Sequence, residues 1–179
     1  MSNSIRLGKN SLFLSMWAVS IIVAFTLPDH PERSEMFGWI VRSVGALVPA
    51  VDKVRQVSAI PEVAAAYFAI MWILVVIWMP LYFWLSDEQI RPFSIVEKKR
   101  LAFLFSPLIV VLIIMVAFYL PIQGRGRIAQ VMMSTRFGLG CFLGLMFSSI
   151  PLFIRAMTMW FRYISRFLNE SNSNQINKE

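Results

Sequence analysis

The residues able to do acid–base, nucleophilic or metal chemistry are few and far apart in this 179-residue chain. Its one histidine, His30, lies between Pro28 and Pro31, and its one cysteine, Cys141, sits inside an apolar run. One imidazole and one thiol cannot supply the several nitrogen or sulfur ligands of haem or structural zinc, so no cofactor or metal is expected. A lone thiol in apolar surroundings is inert and forms no intramolecular disulfide, which leaves the redox compartment open. The serines and threonines of the apolar runs have no His, Asp, Glu or Lys within those runs to activate them. A hydrolase needs that base within reach of its nucleophile. No glycine loop leading into Lys and Ser or Thr is present to cradle a phosphate. The expectation is a protein that is not an enzyme.

The spacings that remain suit contacts. Gly140, Gly144 and Ser148 recur every four residues and so share one helical face. Small residues let two helix backbones approach closely, and this face is expected to pack within the chain, with Ala65 and Ala69 as its counterpart. Met36, Ile40, Val44, Leu47 and Val51, continued by Val54, recur at threes and fours and form either a candidate partner-binding or interfacial face or the side of a helix that covers the bundle's outer end. Arg42, Asp52 and Lys53 point away from it. Pro49 would clash with the carbonyl four residues earlier, predicting a kink or two short helices within 36–55.

The elements that position these groups follow from hydropathy. Apolar residues make up 58% of the chain, above the roughly 45–50% of soluble domains. The excess lies in residues 11–27, 63–85, 101–122 and 137–154, which contain no Asp, Glu, Lys, Arg or His. Crossing a hydrocarbon core takes about 20 helical residues, so the reading is an all-α integral membrane protein, a bundle of four transmembrane helices. The segment between the first two spans is the exterior amphipathic one. A juxtamembrane helix is expected over 155–168, followed by a disordered tail at 169–179. Arg6 and Lys9 ahead of the first run mimic a signal peptide, but the run is long and lacks a clean small-x-small cleavage site, so it is read as an uncleaved span. Pro80, Pro107 and Pro151 predict kinks in spans two, three and four.

A formal charge of +7 invites a nucleic-acid reading, but the basic residues flank apolar runs. Lys98, Lys99 and Arg100 precede the third run, while Arg155, Arg162 and Arg166 follow the fourth, as headgroup anchors do. The expected partners are therefore the lipid bilayer and other membrane proteins, with no nucleic acid. Lys and Arg are more numerous on the side that holds the N-terminus, the loop 86–100 and the C-terminal tail, which predicts a bacterial inner-membrane protein with both termini cytoplasmic. The uncharged runs disfavour ion or proton translocation, because transport through a bilayer ordinarily keeps ionisable groups within the spans.

The layout resembles that of the larger immunity proteins against pore-forming colicins, with similar length, four spans, both termini inside, a long first exterior loop and a shorter second one. That resemblance is architectural, covers the whole chain and implies binding of a toxin in the bilayer. The reading drawn from the residues is a subunit or accessory factor of a larger inner-membrane assembly, of the secretion or conjugation type. A transporter or channel component ranks third.

Overall fold

An unbroken apolar stretch free of glycine and proline carries the first helix, and Pro28 ends it. Proline disfavours helical geometry in the residue before it, and α1 (Ser2–Thr26) stops just short of that point. The helix thus begins well before the first apolar run, whose apolar part spans Ser11–Thr26. The computed structural model describes residues 2–84 and 132–176. The third run, the loop 86–100 with Lys98, Lys99 and Arg100, Pro107 and most of the second exterior loop lie outside the described residues.

Within those bounds the chain is helical and has no strand. A short 3-10 turn at Pro31–Arg33 leads into α2 (Glu35–Leu47). The chain breaks at Val48 and resumes as α3 (Pro49–Val57), with Pro49 at a first-turn position where its missing N–H costs nothing. Another proline opens α4 (Pro61–Trp84). Glu35, Asp52 and Glu62 sit in the first turns of α2, α3 and α4, where a carboxylate complements the helix dipole. The last described stretch passes through a π-helical segment, Gly138–Leu143, into α5 (Gly144–Ile176). The juxtamembrane segment is continuous with this helix, which runs on into the stretch expected as a disordered tail. Pro80 and Pro151 lie inside α4 and α5, and both helices continue through them.

Among the described residues two helical stretches are long and apolar enough to cross a membrane, Pro61–Phe83 and Gly138–Arg155. The core gathers around α4. Every residue from Val63 to Ala69 is buried, which covers all sides of the helix over two turns and requires neighbours all around it. Those neighbours are α1, α2, α3 and α5. Farther along, Ile73, Val76 and Ile77 emerge at the surface, as do Leu14, Ile22 and Phe25 of α1 and Leu145 and Leu152 of α5. Outward hydroxyls on these helices turn back on their own backbone: Ser15 donates to the Leu12 carbonyl, Thr26 to Ile22 and Ser149 to Leu145. Such internal satisfaction is what a hydrocarbon solvent demands of a polar group.

The amphipathic stripe of α2 and α3 divides between core and surface. The buried residues of α2 are Gly38, Val41 and Gly45, followed by Val48, Val51 and Val54. Ile40 and Val44 are half-buried, whereas Met36 and Leu47 are exposed. Gly38 and Gly45 lie on the buried side while contributing nothing to a hydrophobic pattern.

Candidate functional site

The most structured polar feature lies where α1, α4 and the π-helical segment meet. Ser20 and Tyr67 are fully buried, and their hydroxyl oxygens are 2.7 Å apart. Ser20 Oγ also donates to the carbonyl of Gly140 at 3.1 Å. A serine has one proton to give, so Tyr67 must donate to Ser20, and a directed chain runs Tyr67 to Ser20 to Gly140. One turn earlier on α1, Trp17 Nε1 donates to the carbonyl of Cys141 at 3.0 Å. Two side chains of α1 therefore fasten two consecutive carbonyls of the π-helical segment.

Glycine makes this approach possible. A Cβ at Gly144 would lie 1.9 Å from Ser20 Oγ and 2.9 Å from Ser20 Cβ. One at Gly140 would lie 3.1 Å from Ile21 Cα and 3.2 Å from Ala24 Cβ. The small-residue face thus packs closely against α1, and Tyr67 of α4 also comes within 3.3 Å of the Gly144 position. Ala65 and Ala69 are buried in the core on α4, two residues to either side of Tyr67. Ser148, the third member of the face, is buried and returns its hydroxyl to the Gly144 carbonyl at 2.7 Å. Below the polar chain, Phe147 receives Tyr67, Phe68 and Trp72 in edge-to-face contacts with centroids 6.4, 5.3 and 5.8 Å apart.

Arg136 makes a second fastening at the C-terminal end of α1. Its Nη1 donates to the carbonyls of Ala24 and Phe25, at 3.1 and 3.3 Å, and to that of Leu27. Its Nη2 reaches Asp29 Oδ1 at 2.7 Å. A guanidinium here satisfies carbonyls that the end of α1 leaves without helical partners and neutralises the negative end of the helix dipole. The α3–α4 turn is tied to the same region, with Ser58 Oγ donating to the Met133 carbonyl and the Ala59 N–H to Ser134 Oγ.

The remaining expected positions are dispersed. Arg155 is half-buried and Arg162 exposed, while the side chain of Arg166 lies outside the described residues. His30 stands apart from Cys141 and meets Glu62, Nδ1 to Oε2, at 3.3 Å. Among the described residues no three His, Cys, Asp or Glu side chains converge as a metal site would need. Sequence reasoning passed over Trp17, Ser20, Tyr67 and Arg136. The one available signal was a serine four residues ahead of Ala24, a second small face on the first apolar run.

No family model matches the chain, no curated protein matches it, and no solved structure matches it.

Proposed function

We propose that the chain is a four-span inner-membrane protein of a bacterium, with both termini cytoplasmic, that acts without catalysis as a subunit or accessory factor of a larger membrane assembly. The observation that carries this reading is the use of the three buried hydroxyls where α1, α4 and α5 meet. Ser20, Tyr67 and Ser148 are spent on helix-to-helix and helix-to-self bonds. In lipid such bonds and close packing, rather than hydrophobic expulsion, hold helices together. Groups used in this way are a scaffold's, and they leave broad apolar surfaces on α1, α4 and α5 for lipid and for neighbouring proteins. Secretion and conjugation machines are the assemblies that such a small, multi-pass, non-enzymatic component would serve.

Crosslinking in native membranes, followed by gentle solubilisation and identification of what migrates with the chain, tests the reading. A stoichiometric resident complex supports it, and a chain that runs alone in every mild detergent contradicts it. The resemblance in layout to colicin immunity proteins supports a second reading, binding of an incoming pore-forming toxin within the bilayer. Rescue of toxin-challenged cells by a chain that runs as a monomer would favour that reading over the first.

A further inference from the structure

Helices α2 and α3 do not run on from one another. Laid end to end, their 13 and 9 residues would span more than about 30 Å. Yet Glu32, just ahead of α2, pairs with Arg55 near the end of α3. The chain must therefore double back at Val48 and Pro49 into a helical hairpin. Near the bend, a Cβ at Gly45 would touch Asp52 Oδ1 at 3.4 Å. The contact of His30 with Glu62 holds the hairpin's base at the first turn of α4.

The hairpin also stands beside α4 rather than above it. Both arms pack on α4, and the turns from Val63 to Ala69 are enclosed on every side, with outward apolar residues appearing only from Ile73 onward. Its two arms present opposite chemistry to the outside. On α2, Met36, Trp39 and Leu47 are 61%, 65% and 75% exposed and lie on the side opposite Gly38, Val41 and Gly45. On α3 the exposed residues are Asp52, Lys53 and Gln56.

We propose that this hairpin is an interfacial element whose α2 face lies against lipid acyl chains while its α3 face meets water; the inference rests on the membrane-spanning reading above. A structure beside the end of a span sits at headgroup level, where one direction is hydrocarbon and the other is aqueous. Only one rotation of the hairpin matches both faces to that boundary. Trp39 has the amphipathic ring that favours this level, with Arg42 three residues on to reach the headgroups. The segment carries charges of both signs, so apolar burial rather than attraction to anionic lipid holds it there.

Site-directed spin labels test the proposal in vesicles of phosphatidylethanolamine and phosphatidylglycerol. Single cysteines replace Trp39, Leu47, Gln56 and Val76 in turn in a Cys141→Ser background. Collisions with oxygen are then compared with collisions with a polar nickel chelate. Val76 is 67% exposed on α4 and serves as the lipid reference. The expected oxygen-to-nickel ratio at positions 39 and 47 matches that at 76 and is at least about tenfold above that at 56, because a polar chelate is excluded from hydrocarbon. Ratios at 39 and 47 equal to that at 56 would overturn the proposal by showing a face in water. Shielding of both positions from both reagents would overturn it by showing a protein cover. A water-accessible position 76 would instead remove the membrane-spanning reading beneath it.

Discussion

Ser20 of α1 donates its hydroxyl proton to the carbonyl of Gly140, 3.1 Å away, at the place where the helix leading into α5 widens to π geometry. The bond joins residues far apart in sequence and is fully buried. π-Helical turns are costly local departures that persist where the surroundings hold them. Here Ser20 and Trp17 supply that hold from one side, and the glycines supply the room.

The direction of this chain of hydroxyls ranks substitutions along it. Ser20→Ala leaves both the Tyr67 hydroxyl and the extra lone pair of Gly140 without their partner, whereas Tyr67→Phe removes one donor and leaves Ser20 bound to Gly140. Loss of an interhelical bond in a bilayer costs about 0.5–2 kcal/mol, so Ser20→Ala is expected near the upper end and Tyr67→Phe near the lower. Unfolding of the detergent-solubilised protein by increasing denaturing detergent measures both. A Tyr67→Phe cost equal to or above that of Ser20→Ala would contradict the direction of the chain.

Gly144→Ala is expected to destabilise by about 1–3 kcal/mol through overpacking. The Cβ would overlap Ser20 Oγ, and the Ser20 Cβ at 2.9 Å leaves little room to escape. Combined with Ser20→Ala, the oxygen that overlaps most is gone, and the double variant is expected to lose less than the two single losses added together. Strict additivity in a double-mutant cycle would show that the two positions do not meet.

Arg136→Gln is expected to loosen the C-terminal end of α1, because the three carbonyls it serves lose a charged donor. Faster amide hydrogen exchange over 23–27 and a stability loss of about 1–2 kcal/mol are the readouts. Asp29→Asn is expected to cost under about 1 kcal/mol, since Asp29 is 88% exposed and its ion pair with Arg136 is well screened. Equal losses from the two variants would mean that the ion pair, not the capping of α1, is what Arg136 contributes.

Much of the helical layout was legible because long runs without charge leave the backbone few ways to satisfy itself. The closeness required at Gly140 and Gly144 was legible for the same reason, as small residues at fourfold spacing have a geometric meaning. Their partner was not, because Ser20 looks like any other hydroxyl in an apolar run until the fold brings it to a carbonyl. Arg136 read as one more loop cation, although its task is to close a helix that ends over a hundred residues earlier in the chain. On α2, hydrophobic periodicity does not mark the buried side, since Gly38 and Gly45 belong to it without adding any apolar side chain. The π-helical segment has no periodic signature of its own.

The membrane crossing of α4 is the premise beneath the rest, and impermeant maleimide labelling of intact spheroplasts tests it most directly. Cysteines are placed singly at Gln56, before α4, and at Ser94, after it, in a Cys141→Ser background. The account predicts that Gln56→Cys reacts from outside while Ser94→Cys reacts only after the membrane is opened. Equal reaction of both positions in intact spheroplasts would contradict it.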